Sequence, residues 1–309
     1  MSVSIKPEDN SALALTKAGR LQAFFRALRP HLWAKNGLVI VPLIAAHHLN
    51  HPGAPLTSLL AVVAFCLSAS SVYVLNAIRD LDADRAHPRK CTRPFAAGDL
   101  PQSAGFVMAP TLLVLAFSLG MFLPASFTVV LTGYYILTLA YSFFLKGKVL
   151  LDTLVLACLY TLRIAAGAAA VEVPVSFWML LFSIFLFLSL AFVKRYAELE
   201  ALRRRNDLQT VGRGYEVGDL PILKCLGCAS GYLSVMVLAL YVNSPEIEAL
   251  YSHPRRIWTL CVLLLLWISR VWMTAQRGGM QDDPVIFALK DRASIGVGCL
   301  AMVIAILAL

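Results

Sequence analysis

Nine apolar stretches dominate the chain, at residues 36–50, 56–78, 103–122, 125–144, 150–171, 176–194, 221–243, 257–275 and 292–309. Most are close to the ~20 residues that cross the hydrocarbon core of a bilayer as a helix. A single water-soluble core has no need of apolar runs that long. Charged residues make up only 15% of the 309 positions, against roughly a quarter in an ordinary soluble domain. The mean hydropathy of +0.73 fits the same class. The expected fold is therefore an all-α polytopic membrane protein, with about nine transmembrane helices in a bundle. The first stretch is the weakest, being short and interrupted by Pro42.

The basic residues sort by side. Lys6, Lys17, Arg20, Arg26, Arg29 and Lys35 precede the first stretch, and Arg79, Arg85, Arg89, Lys90 and Arg93 follow the second. Lys146 and Lys148 follow the fourth, Lys194 through Lys224 the sixth, and Arg270, Arg277, Lys290 and Arg292 the eighth. With nine crossings all of these share one face, and only Arg255 and Arg256 occupy an opposite loop. The positive-inside rule makes that face cytoplasmic, the N-terminus included. The expected surroundings are membrane lipid, with the basic loops on the cytoplasmic side; taken with the family resemblance given below, this implies a bacterial cytoplasmic (inner) membrane and a cytoplasmic-side active site. No cleavable signal peptide is evident in the polar first 20 residues. The net charge of +9 reads as topology plus anionic substrates, with no nucleic-acid partner.

Residues 1–20 read as a polar tail, and 21–309 as a single transmembrane domain. Two charged loops, 79–102 and 195–220, follow the second and sixth stretches. Loops at corresponding positions suggest two pseudo-repeat halves, about 36–144 and 150–275, plus a last helix, with each half giving one polar loop to a shared site.

The first loop carries the chemistry. Asn76, Asp80 and Asp84 are four residues apart at the end of the second stretch, so on a continuous helix they lie nearly on one face. One amide and two carboxylates are the oxygen ligands that Mg²⁺ prefers. Arg79, Arg85, Arg89, Lys90 and Arg93 surround them. Acidic oxygens ringed by cations point to Mg²⁺ holding a diphosphate, with the basic groups taking the remaining charge. Asp82 is rotated away from this face. His87-Pro88 ends the helix. Carboxylates at a helix C-terminus, where the dipole is negative, make sense with a bound cation.

The second loop reads KRYAELEALRRRND from Lys194 to Asp207. Its cations suit a second phosphorylated substrate better than a second metal. Lys194 and Glu198 could simply pair along the helix, and Arg203–Arg205 suit lipid headgroups. Arg163 is the one strong charge well inside a stretch, so it either serves the site or pairs with a neighbour. Tyr141 and Lys146, at the end of the fourth stretch, point to the same surface. Gly212-Arg213-Gly214 is either a phosphate cradle or a turn. Asp282-Asp283-Pro284 reads as a helix start, with a possible role in closing the site. Cys225 and Cys228 form a CxxC without a second pair, and the HHLNH of residues 47–51 reads as a loop.

NxxxDxxxD followed by a basic HPRKxxRP loop resembles the UbiA superfamily of intramembrane prenyltransferases. LRPHLWAKN at 28–36, HPRKCTRPFAAGDL at 87–100, LYTLRIAAGA at 159–168, KRYAEL at 194–199 and the segment from Gly212 to about Ala293 are similar to its decaprenyl-phosphate phosphoribosyltransferase branch. One position departs: the family's motif is usually NDxxDxxxD, and Ala77 stands where the second Asp would be. The resemblance implies Mg²⁺-dependent transfer of 5-phosphoribose from phosphoribosyl diphosphate to a polyprenyl phosphate of decaprenyl type, with release of diphosphate. The product would be a lipid-linked pentose precursor of arabinose type. Some relatives carry a fused phosphatase, so dephosphorylation here is expected to need a separate partner. On this reading Asn76, Asp80 and Asp84 hold the metal and act in catalysis. Lys35, Arg79, Arg85, Arg89, Tyr141, Lys146, Arg163, Lys194 and Arg195 bind the substrate phosphates. Two readings compete: UbiA-type prenyl transfer to an aromatic acceptor, and a membrane transporter. Against the transporter, the charged groups cluster at one face instead of the midplane.

Overall fold

The computed structural model describes residues 17–87, 90–204, 213–280 and 283–308. Among them the regular structure is helical. The elements are α1 (Lys17–Leu28), a 3₁₀ helix (Pro30–Ile40), α2 (Val41–Ala45), α3 (Ala54–Arg79), α4 (Leu81–Ala86), α5 (Gln102–Gly120), α6 (Ala125–Ala140), α7 (Leu151–Ala170), α8 (Phe177–Arg203), α9 (Leu220–Val242), α10 (Pro245–Leu250), α11 (Pro254–Gln276), α12 (Pro284–Lys290) and α13 (Arg292–Ala308).

Among the described residues seven helices are long and apolar enough to cross a membrane, or eight if α12 and α13, bent by 78°, form one span. The protein is an integral membrane protein. The expected count of nine differs at one place. Residues 36–50 are not one straight α-helix but a 3₁₀ helix, the five-residue α2 and a short turn at His48–Asn50. The broken piece still runs antiparallel to α3. Ser70 Oγ donates to the Leu28 carbonyl, Trp33 Nε1 donates to Ser70 Oγ and Asn36 Nδ2 donates to Cys66 Sγ, so the contacts descend α3 as the segment ascends. At ~2.0 Å per residue the 3₁₀ helix alone covers ~22 Å. Irregular backbone at this depth is tolerable where protein covers it, and the segment is pinned on its other side by α7. A Cβ on Gly167 would stand 2.0 Å from the Val39 carbonyl oxygen.

Small residues set the closest helix contacts. The buried face of α3 includes Ser58, Ala61, Ala64, Ser68, Ala69 and Ser71, which lets neighbouring backbones approach. In α9, Gly227 faces Trp272 of α11 and Phe192 of α8. There Ser189 Oγ donates to the Gly227 carbonyl at 2.7 Å and accepts from Trp272 Nε1 at 3.1 Å. Among the described residues the apolar core falls into three main clusters, one of α3, α6 and α7, one of α7, α8, α9 and α11, and one of α1, α3 and α5. Exposed Leu56, Phe106, Val129, Ile136, Met236 and Leu266 form the outer surface, the side of such a bundle that faces lipid.

Candidate active site

A cavity of about 320 Å³ opens at the end of the bundle where α3 stops. Its polar wall is built by Asn76 of α3, Tyr141 and Ser142 at the end of α6, Arg163 and Tyr160 of α7, Lys194 of α8, Lys35 of the 3₁₀ helix and Asp283 ahead of α12. Leu32, Val72, Leu156, Leu159, Leu190 and Ala191 form its apolar side.

The helix carrying the acidic motif is interrupted at Asp80. α3 ends at Arg79, Asp80 has φ −93° and ψ 18°, and α4 begins at Leu81. The i→i+4 bonds from Asp80 N to the Asn76 carbonyl and from Asp84 N to the Asp80 carbonyl survive the interruption. The three donors nevertheless separate. Asn76 Nδ2 donates to Ser142 Oγ at 3.0 Å, and its Oδ1 is buried without a hydrogen-bond partner. Asp80, one helical turn beyond Asn76 and not itself in the cavity lining, has Arg79 Nε at 2.9 Å from Oδ1 and Lys146 Nζ at 3.5 Å from Oδ2. Burial raises the Asp80 carboxyl, but the hydrogen bond from Arg79 and the charges of Lys146 and Arg79 outweigh it and hold it below the usual carboxylate range. Asp84 is buried, takes a 2.5 Å bond from Arg93 Nη1 and does not line the cavity.

Among the described residues no three His, Cys, Asp or Glu side chains form a metal-binding group. The donor chemistry still suits Mg²⁺, which binds through one or two carboxylates plus substrate phosphates and keeps several waters. An orphaned amide oxygen with a carboxylate one helical turn beyond it is such a partial set, with Asn76 and Asp80 as the available ligands.

Across the cavity lies a second ionic cluster. Asp283 Oδ2 accepts from Lys35 Nζ at 2.6 Å and Lys194 Nζ at 3.0 Å, while Tyr160 OH donates to Oδ1 at 3.2 Å. The same Oδ1 accepts from Val285 N, so Asp283 caps α12 as its Asp-Pro sequence suggested. Burial raises the Asp283 carboxyl, but the two ammonium groups pull it far below its usual range. Lys35, one residue before the first apolar stretch, is lowered to about 8 by burial and by Lys194, with Asp283 only partly offsetting them. Two lysines thus share one carboxylate. The sequence resemblance placed Lys35 and Lys194 at one site; the fold adds that they share Asp283.

The other expected residues take different places. Arg79 donates from Nη1 to the Ser142 carbonyl at 2.7 Å and stacks over Phe143. Tyr141 opens a π turn, Tyr141–Leu145, of a kind frequent at functional sites. Arg163 pairs with neighbours and lines the cavity, donating to Asn36 Oδ1 at 2.9 Å, the Leu159 carbonyl at 2.6 Å and Tyr134 OH at 2.8 Å. Arg195 is fully buried and turned from the cavity: Nε contacts Asp152 at 2.5 Å, Nη1 contacts Glu198 at 2.7 Å and Nη2 contacts Tyr141 OH at 3.1 Å. With every nitrogen engaged it holds α8 to α7 and stands behind Tyr141, a different task from the phosphate contact expected of it. Glu198 pairs with Arg195 and Arg213 instead of Lys194. Arg85 is exposed and lies 3.7 Å from Asp82. Arg89 lies outside the described residues, as do Arg205, Gly212 and Asp282.

Residues 38–306 match the UbiA prenyltransferase family. The chain belongs to that family. It is a transferase, and its UbiA fold is shared with solved structures at low sequence identity. One is a UbiA homologue from Archaeoglobus fulgidus bound to GPP and Mg²⁺, with TM-score 0.69 and 15% identity over 90% of this chain and 99% of that one. Among curated relatives, the decaprenyl-phosphate phosphoribosyltransferase of Mycolicibacterium smegmatis is 37% identical over 280 residues, 88% of this chain and 87% of the relative. The nodulation protein NoeC of Azorhizobium caulinodans is 37% identical over 276 residues, 88% of each chain. The protein y4nM of Sinorhizobium fredii is 35% identical over 290 residues, and this chain spans only 56% of its length.

Proposed function

We propose that this UbiA-family transferase moves 5-phosphoribose from phosphoribosyl diphosphate to a polyprenyl phosphate, releasing diphosphate. One observation carries the reading: two separate cationic places meet here, the Lys35–Lys194 pair in the cavity lining, and Arg79 with Lys146 around Asp80, one helical turn beyond the lining residue Asn76. Two phosphorylated substrates need two such places. The similarity to a decaprenyl-phosphate phosphoribosyltransferase over 88% of the chain supports the same substrates.

Asn76 Oδ1 and Asp80 would hold Mg²⁺, which neutralises the departing diphosphate when bound. Arg79 and Lys146 flank that diphosphate. Lys35 and Lys194 take the lipid phosphate, exchanging the Asp283 carboxylate for a phosphate oxygen, while Leu156, Leu159 and Leu190 receive the first isoprene units. The bond between the anomeric carbon and diphosphate breaks with its electron pair leaving on diphosphate. A lipid-phosphate oxygen bonds to the anomeric carbon. That oxygen is already anionic, so no general base is required. Arg163 and Tyr160 fix the cavity wall. Asp84 with Arg93 orients the loop after α4, and Arg195 positions Tyr141. The basic face would be cytoplasmic in an inner membrane, and a separate phosphatase would act on the product.

The test uses purified protein with labelled phosphoribosyl diphosphate, a polyprenyl phosphate and Mg²⁺. Labelled lipid that is lost with EDTA and restored by Mg²⁺ is expected. No labelled lipid from folded protein rejects the reading.

A further inference from the structure

Beside the catalytic cavity, on the next face of α3, lies a second pocket of about 340 Å³ to which no group has yet been assigned. Arg26 and Arg29 from the end of α1, His31 from the first turn of the 3₁₀ helix and Arg93 from the loop after α4 converge on it, and Ala77 forms its floor. The two cavities share a wall. Asn76 faces one and Ala77 the other, and the Arg29 guanidinium lies 5.6 Å from the centre of the Tyr73 ring, whose edge lines the catalytic cavity.

The pocket holds more positive than negative charge. Arg93 is bonded to Asp84, and Arg26 is bonded to the Thr92 carbonyl at 2.6 Å and lies 3.4 Å from Asp99. Arg29 makes no ion pair among the described residues, yet it is half-buried and held at φ 54°, a left-handed conformation costly for a side chain of its size. Burial and the charge of Arg93 both lower its pKa, the mark of a cation short of a counter-ion. The 3₁₀ helix of 11 residues begins here at Pro30, adding the positive end of its dipole. A fork of guanidinium N–H groups around a small pocket suits the oxygens of a phosphate monoester.

We infer that the Arg26–Arg29–Arg93 pocket binds a phosphate monoester, and that this is the 5-phosphate of the sugar donor. The assignment of the donor rests on the function proposed above. A phosphoribosyl donor and a lipid phosphate bring three anionic groups together, and the protein has three cationic places. The place around Asp80 takes the diphosphate and the two lysines take the lipid phosphate. The arginine pocket, with its floor adjacent to Asn76, takes the far end of the pentose. Holding the donor by both ends fixes the anomeric carbon over the cavity, where the lipid phosphate arrives.

Calorimetric titration of the detergent-purified full chain separates the three places. The probes are ribose 5-phosphate, inorganic diphosphate with Mg²⁺, and farnesyl phosphate. Ribose 5-phosphate should bind the unaltered protein and bind Arg29→Gln at least about tenfold more weakly, a difference of ~1.4 kcal/mol. The other two probes should change less than about twofold. Arg26→Gln, which removes a second guanidinium of the pocket, should give the same selective loss, and a melting curve establishes that each variant is folded. Unchanged ribose 5-phosphate binding in both variants, or none in the unaltered protein, overturns the inference. Selective loss of farnesyl phosphate overturns the donor assignment and gives the pocket to the lipid. If the unaltered protein transfers no phosphoribose but ribose 5-phosphate binding still depends on Arg29, the proposed reaction fails while the phosphate-monoester pocket stands.

Discussion

Asp80 and Lys35 belong to separate places at the site and should fail in different ways. Asp80→Asn keeps the shape and removes the charge between Arg79 and Lys146. Losing a mere outer-shell partner of a metal costs ~10–100-fold, so losing Asp80 should cost at least about a hundredfold in turnover, with the melting temperature unchanged. Lys35 is charged below its pKa of about 8 and neutral above it. The apparent KM for polyprenyl phosphate should therefore rise as pH passes upward through about 8. Lys35→Arg should remove that alkaline limb, because a guanidinium stays protonated. A pH profile of both proteins checks this. Arg195 and Asp152 are a different case, with side chains 1% and 0% exposed. Removing one partner leaves a buried charge, so Asp152→Ala should destabilise by ~3–5 kcal/mol, read as a fall in the melting temperature in detergent. Tyr215 OH, which donates to Asp152 at 2.5 Å and accepts from Leu150 N at 2.8 Å, would lose its anchor as well.

The elements show where sequence reasoning was sufficient and where it stopped. Seven of the nine apolar stretches became membrane-length helices, or eight if α12 and α13 form one span, because length and hydropathy are properties of each stretch alone. The stretch at 36–50 was apolar too, but its local geometry is set by partners far away in sequence: Asn36 meets Arg163, and Val39 meets Gly167. The spacing of Asn76, Asp80 and Asp84 assumed a continuous helix, and the interruption at Asp80 separates them. The cluster of Lys35, Lys194 and Asp283 and the pair of Arg195 with Asp152 join residues from distant parts of the chain, so neither left a local signature. Gly167 tests the packing of the broken segment. Gly167→Ala would drive a methyl into the Val39 carbonyl and should cost ~1–3 kcal/mol. It should also weaken substrate binding by displacing Lys35, whereas the same change at Gly133, where a Cβ meets nothing within 4 Å, should be silent.

At the scale of the molecule, the account requires the basic loops and the substrate cavity to share one side of the membrane. Single-cysteine proteins test it. Cys91, in the loop after α4, should be shielded from an impermeant maleimide applied to intact cells, whereas an exposed Ser252→Cys between α10 and α11 should be labelled. Labelling of Cys91 alone would invert the orientation. The identity of the transferred group separates phosphoribosyl transfer from prenyl transfer. The most direct measurement offers the purified protein phosphoribosyl diphosphate and a prenyl diphosphate together, with polyprenyl phosphate, an aromatic acid and Mg²⁺, and weighs the lipid products by mass spectrometry. The account predicts a phosphoribosylated polyprenyl phosphate and no prenylated aromatic acid. A prenylated aromatic acid without the phosphoribosylated lipid would contradict it.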